Sequence, residues 1–193
     1  MKRFLTLAIS MLCMGAPLLA GEIHGKVIAK GLRDSSDAVV YVDKVPGKTF
    51  APPSAHARMD QKNMRFLPHV LPVVIGTTVD FLNSDSVLHN VFSPDACADR
   101  FNLGTFPQGQ TRNFTFKKAC FASLLCKVHP EMDGIVAALP TPYFAVTSPD
   151  GSYEIKDVPD GTYTLRVWHP MLKPAQKSVV VNGATEAGFS IAK

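Results

Sequence analysis

Apolar residues recur along this chain in short runs divided by polar breaks that carry proline or glycine, and helical periodicity is scarce. Strand-like runs occupy 23–29, 38–42, 70–75, 78–82, 113–116, 121–126 and 134–139 in the first two-thirds. They continue at 144–147, 152–155, 163–168, 177–181 and 187–191. Turn signals such as Pro149-Asp150-Gly151 and Pro159-Asp160-Gly161 divide the later runs. Fifteen prolines and thirteen glycines fit the same picture of an all-β chain. No low-complexity segment or clear repeat interrupts it.

The first residues have a different pattern. Lys2 and Arg3 precede an apolar run over 4–20 that ends Leu18-Leu19-Ala20 before Gly21-Glu22, the charge, length and small-residue exit of a secretory signal peptide. The run is short and broken by Thr6 and Ser10, so a stable membrane span is not expected. Cys13 follows a bulky Leu12 where a lipoprotein signal wants a small residue. Cleavage near Ala20 is expected, giving a periplasmic product of about 173 residues, enough for one large or two small domains. The formal charge of +4 falls by Lys2 and Arg3 to +2, which steers the mature chain to neither nucleic acid nor membrane.

Candidate chemistry is concentrated in Cys126-Lys127-Val128-His129-Pro130-Glu131-Met132, with His89 upstream in Leu88-His89-Asn90-Val91. A thiolate, two imidazoles and a weak thioether are soft enough for Cu(I) and nitrogenous enough for Cu(II), so one electron can pass with little ligand movement. A strand ending at Cys126 would aim its sulfur inward, a three-residue turn stiffened by Pro130 would return His129, and three more residues bring Met132 to the longer axial distance. His89 must come from another strand, because four ligands on one turn could not enclose an ion. Taken singly, a buried Cys is a small hydrophobe, a His a surface residue and a Met a gap-filler. Taken together in this order they predict one type 1 copper ion held by His89, Cys126, His129 and Met132. Zinc, which rarely takes a thioether, is disfavoured by Met132.

At these residues the chain resembles the cupredoxins, copper β-sandwiches of the plastocyanin and amicyanin kind, the short loop being similar to the amicyanin variety. Leu88-His89-Asn90-Val91-Phe92-Ser93, Val128-His129-Pro130-Glu131-Met132 and Pro142-Tyr143-Phe144-Ala145-Val146-Thr147 also resemble the bacterial plastocyanin-like proteins described as methylamine utilisation proteins. The resemblance implies a Greek-key sandwich and electron exchange with periplasmic redox proteins, a cytochrome or a dehydrogenase. Asn90 is similar to the position that ties the two ligand loops together. His129 would expose an imidazole edge through an apolar surface formed by Pro130 and Phe92, with Lys127 and Glu131 close enough to influence docking.

The tail, Thr147-Ser148-Pro149-Asp150-Gly151-Ser152-Tyr153 and Val158-Pro159-Asp160-Gly161-Thr162-Tyr163-Thr164-Leu165, resembles the carboxypeptidase regulatory-like domain, a transthyretin-like β-sandwich. Residues 142–193 are too few to cover their own apolar faces. Ile23-His24-Gly25-Lys26-Val27 and Ala38-Val39-Val40-Tyr41-Val42 look like the opening strands of that same module. The expected order is therefore a signal peptide (1–20), accessory strands (21–50), an inserted cupredoxin unit (51–141) and the rest of the accessory sandwich (142–193). The alternative gives the early strands to the cupredoxin.

Cys97 and Cys120 lie between His89 and Cys126. An exported compartment permits them to pair and brace the wall of the site, the alternative being two inert thiols. His69, in the proline-rich Phe66-Leu67-Pro68-His69-Val70-Leu71-Pro72 stretch, reads as structural, and His169 beside Met171 as a weaker candidate for extra copper. His24 and His56 have no partners in sequence. Catalysis is not expected: no H-x-H pair serves a multicopper oxidase or nitrite reductase, no second thiolate serves a binuclear copper centre, and neither H-x-x-E nor G-x-S-x-G occurs. Electron carriage is the leading function, with copper delivery or a non-redox scaffold as alternatives.

Overall fold

A computed structural model describes residues 20–193; Cys13 and all but the last residue of the expected signal peptide lie outside them. Strands β1 (Ala20–Ala29) and β2 (Val39–Val42) come first. A middle block follows: β3 (Ala57–Gln61), β4 (Phe66–Leu67), β5 (Val70–Val74), β6 (Thr78–Asn83), β7 (His89–Phe92), β8 (Asn102–Phe106), β9 (Thr111–Thr115), β10 (Cys120–Leu125) and β11 (Asp133–Leu139). The chain ends with β12 (Phe144–Val146), β13 (Ser152–Pro159), β14 (Gly161–His169), β15 (Leu172–Val181), β16 (Ala184–Glu186) and β17 (Phe189–Ile191). The only helical element among the described residues is a 3-10 turn at Ala96–Ala98. The all-β class predicted by the alternating runs is the observed one.

The strands form two sandwiches. In the middle block, a sheet ordered β5-β11-β10-β7-β8 faces one ordered β4-β3-β6-β9. Met59, Phe66, Phe81 and Val79 from the second sheet meet Val91, Phe106, Leu124 and Val136 from the first in one apolar core. In the other sandwich β13-β1-β16, with β17 also on β1, faces β12-β2-β14-β15. Strands β1 and β2 thus pair with strands from the end of the chain, while β3 to β11 pair among themselves.

A third apolar layer joins the two. Val39 and Tyr41 of β2 pack against Val70 of β5 and Ile135, Ala137 and Leu139 of β11, while Val40, Val136 and Ala138 point into the two sandwich cores. This is why 38–42 and 134–139 read as unbroken apolar runs: both faces of β2 and β11 are covered. Phe121 of β10 stacks on Trp168 of β14 across the junction, ring centroids 4.1 Å apart and 14° between planes.

Five strands carry little apolar alternation and were not anticipated: β3, β4, β7, β8 and β16. The sheet recruits them by backbone pairing, as where β3 runs parallel to β6 over 57–61. The expected strand end at Cys126 is one residue late, since β10 stops at Leu125 and Cys126 is the first residue of the loop. Cys97 and Cys120 are joined in a disulfide, tying the 3-10 turn to the start of β10, Cα atoms 5.5 Å apart.

Candidate metal centre

Residues 126–132 connect β10 to β11, whose register closes with Leu125 opposite Asp133. The Met132 amide donates to the His129 carbonyl at 3.0 Å, curling the loop back on itself. Strand β7 begins at His89 and joins β10 through the pair Leu125 and Phe92, which sets His89 beside the loop. The three strong donors converge. His89 Nδ1 is 4.0 Å from Cys126 Sγ, His129 Nδ1 is 4.0 Å from the same sulfur, and the two Nδ1 atoms are 3.0 Å apart.

That triangle can be tested for size. A point equidistant from its corners lies about 2.2 Å from each, the length of a bond from a first-row metal to imidazole nitrogen or thiolate sulfur. The donor set, one sulfur and two nitrogens, fits copper. Met132 is buried in the same apolar cluster as Cys126 at the far end of the loop. Among the described residues no other group of three His, Cys, Asp or Glu donors approaches so closely.

The surroundings fix the donors. The Asn90 amide donates to Cys126 Sγ at 3.3 Å, and the Asn90 side-chain oxygen accepts from the Lys127 amide at 3.3 Å, so one residue ties both loops as its position suggested. Its Nδ2 donates to the Gly104 carbonyl at 2.8 Å and to Asn102 Oδ1 at 2.9 Å, anchoring the tie in β8. Asp85 went unnoticed in the sequence. Its carboxylate accepts from His89 Nε2 at 2.9 Å and from the amides of Asn63 and Met64 at 2.7 and 3.0 Å. Burial pushes the Asp85 carboxyl up, but the bonds from Met64, His89 and Asn63 outweigh it and hold it below the usual carboxylate range. An Asp among the turn formers Asn83-Ser84-Asp85-Ser86 carries no sequence signal for this role.

His89 is fully buried, whereas His129 is half-buried and keeps an edge toward solvent. The residues beside them in sequence are exposed and apolar: Val87, Leu88, Val128 and Pro130. Phe92 is half-buried under the Lys127 ammonium, 5.4 Å from its ring centroid. Glu131 is exposed.

Three of the other four histidines have hydrogen-bond partners, whereas His24 Nδ1 has none among the described residues. His69 Nδ1 lies 2.8 Å from Asp37 and its Nε2 3.2 Å from Asp133, so it bridges the two sandwiches. The Asp37 contact raises His69 to about 9, burial opposing it and Asp133 assisting. His169 Nδ1 accepts from the Met171 amide at 3.1 Å, and burial lowers its pKa. His56 Nδ1 sits 2.8 Å from Asp80.

No protein-family model matches the chain, and no curated protein matches it either. Solved structures do. A purple cupredoxin from Nitrosopumilus maritimus is 26% identical over 42% of this chain and 98% of its own, with a TM-score of 0.39. A Cu-containing nitrite reductase from Thermus scotoductus is 24% identical over 52% of this chain and 25% of its own, with a TM-score of 0.43. A reduced amicyanin variant is 23% identical over 53% of this chain and 98% of its own, with a TM-score of 0.42.

Proposed function

We propose that this chain is a periplasmic type 1 copper protein that carries single electrons between redox partners. One observation supports the reading above the rest: the sulfur and two ring nitrogens that the sequence singles out surround a point at metal-bond distance from all three. Met132, buried in the same apolar cluster as Cys126, would supply a weaker thioether ligand. A copper ion held there would supply one-electron exchange between Cu(I) and Cu(II).

The residues around the ligands serve that exchange. Asp85 and Asn90 hold His89 and Cys126 in place whichever oxidation state is present, which keeps the reorganisation accompanying each transfer small. His129, half-buried with an edge toward solvent, is the electron port, and the exposed apolar residues next to the two histidines in sequence, Val87, Leu88 and Val128, favour brief docking with a cytochrome or dehydrogenase. Residues 51–141 would form the copper unit, inserted into an accessory carboxypeptidase regulatory-like sandwich built from 21–50 and 142–193.

The test is spectroscopic. Copper-loaded protein should show the intense visible band of thiolate-to-Cu(II) charge transfer and a narrow copper hyperfine pattern, both erased by Cys126→Ser. Reversible one-electron voltammetry with the copper retained would complete the assignment. A colourless Cu(II) complex, or a band that survives Cys126→Ser, overturns it.

A further inference from the structure

Behind the ligand loop, at the junction of the two sandwiches, lies a cavity of about 520 Å³. Met64 and Met132 line it together with Asp37, Glu131 and Asp133. Met64 is an unusual occupant of its position. It sits with Asn63 in the turn between β3 and β4, both at positive φ (60° and 54°), where such hairpins normally carry Asn-Gly. A long unbranched side chain is strained there, and the Asp85 carboxylate holds the strain in place by accepting from both amides. The Met64 side chain is half-buried against the core that also holds Cys126 and Met132.

We propose that this cavity is where copper is taken up, as Cu(I), with the Met64 thioether as the capturing ligand that hands the ion past Met132 to the three-donor centre. The inference rests on the copper reading above. Thioethers bind Cu(I) and discriminate against hard divalent cations, while the three carboxylates bias the cavity toward a cation against the opposing charges of Arg65 and His69. His69 is not a ligand in this step, because both of its nitrogens already face carboxylates. On the solvent side, the residues next to His89 and His129 in sequence, Val87, Leu88 and Val128, are exposed and apolar and offer a hydrated ion nothing to bind. No electron moves during capture; Cu(I) exchanges carriers and remains Cu(I).

The experiment delivers Cu(I) from a chelator to the metal-free full chain and follows uptake by stopped flow in the wild type, Met64→Leu and Met171→Leu. The last is a control on an exposed methionine of the other sandwich. Met64→Leu should slow Cu(I) uptake several-fold while leaving copper stoichiometry, the oxidised visible band and Cu(II) uptake unchanged, and Met171→Leu should match the wild type. As a second measurement, Ag(I) titrated into Cys126→Ser should shift the methyl resonances of Met64 and Met132, a response that Cys126→Ser with Met64→Leu lacks. Equal uptake by Met64→Leu and wild type, or Ag(I) shifts that bypass Met64, overturns the capture role and leaves the copper centre standing. A wild-type chain that forms no thiolate-to-copper band removes the copper centre itself.

Discussion

His89 Nε2 lies 2.9 Å from a carboxylate oxygen of Asp85, and this contact decides which imidazole nitrogen remains for a metal. A carboxylate can only accept, so Nε2 carries the proton and Nδ1 presents its lone pair toward Cys126 and His129. Asp85→Asn keeps the shape and removes the charge. The variant should bind copper about 10–100-fold more weakly, as outer-shell losses typically do. Competition against a chelator measures this, and unchanged affinity would remove Asp85 from the ligand-positioning role.

His69 gives the pH dependence a definite sign. Its pKa is raised in the folded chain from 6.5 to about 9 by Asp37 and Asp133, carboxylates on opposite sandwiches. The stabilisation is fully present below about pH 6.5 and disappears as pH rises through about 9. The imidazole is partly exposed, so solvent screening keeps the effect modest. Thermal melts of the wild type and His69→Gln between these limits should differ most at the acidic end and converge on the alkaline side. A gap that stays constant with pH would refute the bridge.

Much of this was legible where side chains alone decide. All twelve apolar runs contain strands, and three of the four candidate ligands that their chemistry marks in sequence, His89, Cys126 and His129, lie together. What escaped depends on backbone pairing or on contacts between distant segments. Strand β3, Ala-Arg-Met-Asp-Gln, is held by its parallel register with β6, which no local pattern encodes. Asp85 could be assigned only once the hairpin tip at 63–64 was known to fold over it. His69 read as structural, and it is; its two partners lie 32 and 64 residues away and could not be foreseen.

The stack of Phe121 on Trp168 predicts how the sandwiches unfold. It lies in the apolar layer between β10 and β14, so truncating it removes packing from the junction and leaves both cores intact. Trp168→Ala should destabilise the chain by about 2–4 kcal/mol, below a fully buried Trp because this ring is half-exposed. It should also split one cooperative calorimetric transition into two. A single transition at an unchanged midpoint would show that the stack does not couple the sandwiches.

Asn90 separates two ways of supporting the thiolate. Its backbone amide donates to Cys126 Sγ, a bond any residue other than proline keeps, whereas its side chain accepts from Lys127 and donates into β8. Asn90→Ala therefore preserves the amide-to-sulfur contact and cuts the tie between the ligand loops. Lys127 and Gly104 are exposed and can turn to water, so the lost hydrogen bonds should cost about 0.5–1.5 kcal/mol. The loop would then adjust more between oxidation states. The expected outcome is a near-normal visible band with slower electron self-exchange, read by line broadening in mixtures of oxidised and reduced protein. If the band is lost instead, the side chain supports the ligand geometry itself; if exchange is unaltered, the β7-to-loop tie has no part in limiting reorganisation.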